Sequence, residues 1–166
     1  CSQVRNLAKV VNFSAVYGAG PPKIAQSTGM SLQEAQALHR TYWNRNKSVK
    51  FIARDAVTKT IGEQTWQFNP VSGFWYTLRF EKDKFSTLNQ GTGVFCFDLN
   101  IRQVRSRGIK IIAQYHDEHV FALLKEQKEE VKQKLEESIE AVNNTVKLNV
   151  PLGISMDFGD RYSSIH

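Results

Sequence analysis

"RNLAKVVNFSAVYGAG", residues 5–20, sets Arg5, Lys9, Phe13 and Tyr17 at four-residue intervals and then stops on glycines. In an α-helix such steps drift by only about 40°, so the four side chains stay on one face. Singly, each reads as a solvated cation or a core aromatic. Together they resist that reading. A buried stripe would leave Arg5 and Lys9 without partners, and an exposed one would leave Phe13 and Tyr17 in water. A ligand with a polyphosphate at one end and a sugar and flat base at the other satisfies all four, and a nucleoside triphosphate has that shape. The chain has no G-x-x-x-x-G-K-[ST] loop, so a P-loop is excluded as the mode of binding.

Working outward, the first helix is expected from about Gln3 to Tyr17, ended by Gly18, Gly20 and Pro21-Pro22. Ser31 and Glu34 form an S-x-x-E capping box, with Ala35, Leu38 and Tyr42 following at helical spacing. That helix is expected to continue, with a break, to Gly62. "TWQFNPVSGFWYTLRF" carries two β-rich aromatic runs around residues 69–73 and reads as a hairpin. A helix from Lys84 to about Arg107 is interrupted by Gly91 and Gly93. "GIKIIAQYHDEHVFALL" offers two strand-like runs with a charged centre. A highly charged amphipathic helix follows, with Val131, Leu135, Ile139 and Val142 on its apolar face, and the tail reads as a last strand with an extension. The class is α+β.

The bulk composition fits this reading. The chain has 166 residues, 41% hydrophobic and 23% charged, as in a globular domain with a core of its own. The net charge of +6 favours a polyanionic partner. No apolar run approaches the length of a membrane span, and no signal-peptide pattern is present. The two cysteines, Cys1 and Cys96, make no metal-type pair, which suits a reducing, intracellular setting.

"YHDEHV", residues 115–120, places Asp117 and Glu118 at the tip or bend of a hairpin. Alone it reads as a polar turn, since it lacks the H-E-x-x-H spacing of a zinc helix and adjacent strand residues face opposite ways. Beside a triphosphate site, adjacent carboxylates suggest Mg²⁺, which takes oxygen ligands from one or two carboxylates plus substrate phosphates. Two-metal phosphoryl transfer needs at least two converging carboxylates.

"R-x3-K-x3-F-x3-YG" on a helix, followed about a hundred residues later by "HDE", resembles motifs B and C of the family A DNA polymerases. "NQGTG" at 89–93 resembles that family's Q-G-T/S segment, the chain ends in His166 as many members do, and "VYGAGPPKIAQSTG" is similar to the phage branch. The resemblance implies helical fingers with part of an antiparallel palm sheet, an incomplete polymerase right hand. Residues 1–62 would be the fingers region with the dNTP-binding helix. Residues 63–166 would hold the rest of the fingers and a C-terminal palm portion with the HDE hairpin. Arg5 and Lys9 would contact the dNTP phosphates, and Lys9 would donate a proton to the leaving pyrophosphate. Phe13 would lie against sugar and base, with Tyr17 and Gly18 at the hinge beside the template base. Asp117 would ligate metal with Glu118 in support, and His116 would contact the primer end. Gln90 would reach the minor groove of the primer–template duplex. Two positions depart from the pattern: Ser86 stands where an Asn is usual, and Lys82 where an Arg or His is common. Lys82 would keep the charge of that duplex contact.

The family's first metal-binding Asp, in motif A, is absent from these residues. The expectation is therefore a C-terminal polymerase part, located in bacterial or phage-infected cytoplasm. It would be inactive alone and would need an upstream motif-A half, Mg²⁺, dNTPs and primer–template DNA. Cys1 fits a residue left by an intein, whose splicing uses such a thiol, or an ordinary side chain at a cut. Two rivals are a single-subunit RNA polymerase fragment, which usually reads HDS where this chain has HDE, and a basic nucleic-acid-binding module without chemistry. The latter leaves the stripe and the HDE unexplained.

Overall fold

The computed structural model describes residues 2–165, with side chains from Val4 onward. Cys1 and His166, and with them the splice-junction and terminal-histidine expectations, lie outside the described residues. The chain is α+β and divides into two compact units, residues up to Thr92 and residues from Gly93 onward.

In the first unit, α1 (Ser2–Val16) turns its Val11 face onto Ile24 of α2 (Pro21–Thr28) and Ala35 of α3 (Leu32–Arg45). The end of α1 is a Schellman motif. Gly18 sits at φ 76°, its N–H bonds to Ala15 O at 3.1 Å, and Ala19 N–H reaches Ser14 O at 2.8 Å. The prolines that follow do more than stop a helix. Pro21 opens α2, where its fixed φ and missing N–H cost nothing. The expected capping box is present on α3: Glu34 N–H donates to Ser31 Oγ at 3.2 Å, and Ser31 N–H donates to Glu34 Oε2 at 2.9 Å. Ser31 Oγ also donates to Glu34 Oε2 at 2.7 Å, and that bond first, then the one from Ser31 N–H, holds the Glu34 carboxyl below the usual carboxylate range.

The expected break falls at Asn46, after which helix α4 (Lys47–Arg54) follows. The expectation of helix through to Gly62 is corrected beyond it: Thr58–Ile61 is a strand, β1. Its Thr and Ile residues favour the extended chain, and Gly62-Glu63 supplies a two-residue turn with Gly62 at φ 60°. Strand β1 pairs antiparallel with β2 (Gln64–Phe68), which pairs with β3 (Trp75–Leu78) across the expected 69–73 turn.

Helix α5 (Lys84–Ser106) is continuous, so Gly91 and Gly93 do not interrupt it. The sheet explains the first of them. A Cβ at Gly91 would lie 2.9 Å from the Tyr76 ring, whereas one at Gly93 would meet nothing within 4 Å. Buried Gln67 and Asn69 tie the sheet to the same helix, through Gln67 Nε2 to Lys84 O at 2.9 Å and Asn69 Nδ2 to Leu88 O at 3.2 Å.

In the second unit, α5 ends on another Schellman motif. Gly108 is at φ 77°, and Ile109 N–H reaches Val104 O at 3.3 Å. The two apolar side chains of that motif, Val104 and Ile109, pack with Leu135 of α6 (Lys128–Val146) to form the core, joined by Ile111, Phe121, Val131 and Met156. Strands β4 (Ile111–Tyr115) and β5 (Glu118–Phe121) form the second, two-stranded antiparallel sheet. The expected last strand does not form among the described residues. Pro151 has no N–H for a ladder, and the Asn143 side chain takes the neighbouring backbone, donating to Leu152 O at 2.9 Å and accepting from Leu152 N–H at 2.7 Å. A 3₁₀ turn at Tyr162–Ser164 closes the described chain.

Candidate nucleotide and metal site

Helix α1 presents Arg5, Lys9, Phe13 and Tyr17 away from the Val11–Ala15 face that packs inward. All four are exposed, Phe13 to 59% and Tyr17 to 42%. Among the described residues, Arg5 and Lys9 form no ion pair. The Phe13 and Tyr17 rings stack, with centroids 6.5 Å apart and planes within 12°. The stripe is thus, among the described residues, a row of cations without ion pairs leading to a flat aromatic step.

Tyr17 also meets a residue 73 positions away: Gln90 Nε2 donates to its hydroxyl oxygen at 2.6 Å. Gly18 lies under Lys82, and a Cβ there would stand 3.4 Å from Lys82 Cδ and 3.5 Å from Lys82 O. The positive φ favours glycine at 18, whereas the Lys82 atoms stand at ordinary van der Waals distance. Ser86 is used locally, its hydroxyl donating to Asp83 O at 2.9 Å. Arg5, Lys9, Phe13, Tyr17, Gly18, Lys82 and Gln90 all belong to the first unit.

His116, Asp117 and Glu118 belong to the second unit. Tyr115 and Glu118 are cross-strand partners, and His116-Asp117 is the two-residue turn between them. His116 is at φ 45°, a conformation that glycine usually supplies in such a turn. This strain turns the backbone sharply enough to leave Asp117 exposed at the tip, while Glu118 is half-buried at the start of β5. The oxygen donors suit Mg²⁺ in kind. Their number is short of a full set, because no group of three His, Cys, Asp or Glu side chains converges among the described residues.

Sequence reading missed two neighbours of this hairpin. His119 packs on Phe97 of α5 with ring centroids 4.2 Å apart, and its Nε2 is buried without a hydrogen-bond partner among the described residues. Burial pushes the His119 pKa down, favouring the neutral ring. Tyr162 stands beside Tyr115 with ring centroids 6.0 Å apart. Alternation along β5 was the available signal for His119, whereas nothing local marked Tyr162.

The chain is similar to bacterial DNA polymerases. It is 30% identical over 179 residues to DNA polymerase I of Aquifex aeolicus, an alignment covering 96% of this chain and 30% of that protein. It is 23% identical to DNA polymerase I of Helicobacter pylori, over 97% of this chain and 19% of the relative. Identity to DNA polymerase I of Synechocystis is 24%, over 95% of this chain and 19% of the relative. The chain therefore spans 19% to 30% of the length of these curated relatives. No family model matches it. Among the described residues, no helix is long and apolar enough to cross a membrane.

Proposed function

We propose that the chain is a fingers-and-palm part of a family A, phage-branch DNA polymerase that adds dNTPs to a primer 3′ end on a DNA template. The observation that carries the reading is the similarity to DNA polymerase I along 96% of the chain. The exposed cation–aromatic stripe supports it chemically. Arg5 and Lys9 hold the triphosphate, with charge-assisted bonds that strengthen as negative charge shifts to the leaving pyrophosphate. Lys9 also donates the proton that the pyrophosphate takes up. Phe13 packs on the sugar and base, and Tyr17 and Gly18 border the template base. Gln90 and Lys82 contact the duplex, and His116 contacts the primer end.

Asp117, supported by Glu118, would hold Mg²⁺ together with a motif-A carboxylate from an upstream half. The chemistry such an ion would supply there is neutralisation of phosphate charge and a more acidic attacking hydroxyl. The working place is the cytoplasm of a bacterium or a phage-infected host.

Primer extension with Mg²⁺ and dNTPs tests this, using the chain alone and mixed with a motif-A-bearing half. Extension only in the mixture, lost with Asp117→Ala, is the expected result. No extension from a correctly assembled mixture would leave a nucleic-acid-binding role as the better account.

A further inference from the structure

The polymerase reading leaves unused a cavity of about 250 Å³ in the first unit, beside the end of α1. Its apolar walls are Val16, Trp43, Val49, Ala53 and Phe85, so α1, α3, α4 and α5 all contribute. Lys50, Lys82 and Glu81, all exposed, supply its charged part. Glu81 is taken by Lys84 Nζ at 2.6 Å, whereas Lys50 and Lys82 form no ion pair among the described residues. Trp43 is firmly held in the wall. Its indole N–H donates to His39 Nε2 at 3.0 Å, and the Tyr42 ring meets it at 84° with centroids 5.1 Å apart. Only the face of the indole is left to offer. The Lys50 ammonium rests on it, 5.2 Å from the ring centroid, a contact worth little in water. Charge points to the kind of ligand. The first unit holds twelve Lys and Arg against five Asp and Glu, and the second holds ten against eleven. The chain's net charge of +6 therefore resides in the unit that holds the cavity. Arg40, Arg45 and Lys47, exposed on α3 and α4, extend the positive field on the two helices that carry Trp43 and Lys50.

We propose that this cavity seats one nucleotide of a single DNA strand: the base stacks on Trp43, and its phosphates lie against Lys50 and Lys82. The arriving base displaces the Lys50 ammonium from the ring, and the ammonium moves to a phosphate oxygen, a stronger partner. Because the indole N–H is spent on His39, the ring reads no base edge. Every base has a flat face, so the seat accepts all four. That tolerance suits a strand that must be copied whatever its sequence, and the occupant is the unpaired part of the template. The seat is separate from the Phe13–Tyr17 step, since neither of those rings lines the cavity. The binding claim stands on this chain alone, and the strand's identity as template rests on the polymerase reading.

The test titrates the full chain into labelled oligo-dT, oligo-dA and an abasic strand of equal length, read by fluorescence anisotropy. Oligo-dT and oligo-dA should bind with comparable affinity and the abasic strand more weakly. Trp43→Leu keeps an apolar side chain in the wall and removes the flat ring. It should weaken oligo-dT binding by about 5- to 150-fold, the worth of one base–aromatic stack, and leave abasic binding unchanged. Lys50→Ala, an exposed position that does not threaten the fold, should lower the slope of log affinity against log salt by about 0.7. Equal binding of oligo-dT and the abasic strand overturns the proposal, as does wild-type oligo-dT affinity in Trp43→Leu or an unchanged salt slope in Lys50→Ala. The cavity would then belong to an apolar segment of a protein partner. With the motif-A-bearing half added, a longer unpaired template end should tighten primer–template binding in the wild type and not in Trp43→Leu. Binding indifferent to that end overturns the template assignment. A mixture with no extension tells against the polymerase reading, and the oligo-dT titration still decides the seat.

Discussion

Helix α1 and the β4–β5 hairpin each display charged residues, but by different physical means. Helix α1 needs no help: its Val11 face is packed, its end is closed by Gly18, and the stripe faces water. The hairpin is a short two-stranded ribbon, marginal by itself, and its tip leans on Phe97 from one element and Tyr162 from another. Side chains on a regular, packed helix can be read from spacing alone. At a strained turn, the surroundings decide what the carboxylates do, and those surroundings come from distant parts of the chain.

Substitutions can break this comparison on either side. The largest effect is expected at the hairpin: Asp117→Ala should lower primer extension in the complemented mixture by about 1,000-fold or more, as for loss of a metal ligand. Circular dichroism should show the fold unchanged, because Asp117 is exposed. On the helix, Lys9→Ala should raise the KM for dNTP or lower kcat by about 10- to 100-fold, the worth of a charge-assisted bond or two. Its melting temperature should stay at the wild-type value. A Lys9→Ala variant with wild-type kinetics would remove the stripe from the mechanism.

Smaller effects test the framework under both regions. Gly91→Ala should destabilise by about 1–3 kcal/mol through overpacking against Tyr76. Gly93→Ala, two residues along the same helix and facing open space, should stabilise by about 0.5–1 kcal/mol. Thermal melts of the two variants should therefore move in opposite directions. His119 gives the smallest signal. Burial lowers its folded-state pKa, so below about pH 6.5 the unfolded chain takes up a proton that the folded chain resists. Its contribution to stability is full above that pH and is lost as the pH falls. His119→Leu should make the acid limb of a stability–pH curve shallower without flattening it, since His39 is shifted the same way by burial and by Lys50.

The sequence was legible where one local rule acted without competition. The Ser31–Glu34 box, the end of α1, the 69–73 turn and the HDE hairpin each follow from side chains a few residues apart. It misled where the partner was remote. Thr58–Ile61 reads as continued helix until β2 is there to pair with it. Gly91 reads as a helix breaker until Tyr76 arrives from β3, and the tail reads as a strand although Asn143 claims its backbone. The same division holds for the candidate site. The stripe was readable from its spacing and the carboxylates from their motif. The Tyr17–Gln90 bond, the buried His119 and the placement of Tyr162 depend on contacts that no local pattern announces.

The most direct test of the central claim is single-nucleotide incorporation. The chain, mixed with a motif-A-bearing half on a defined primer–template, is offered each of the four dNTPs in turn with Mg²⁺. The account predicts extension by one nucleotide, with the dNTP complementary to the template base strongly preferred, and no extension by the chain alone. Incorporation that ignores the template base, or none at all from a mixture shown to bind the duplex, would contradict it.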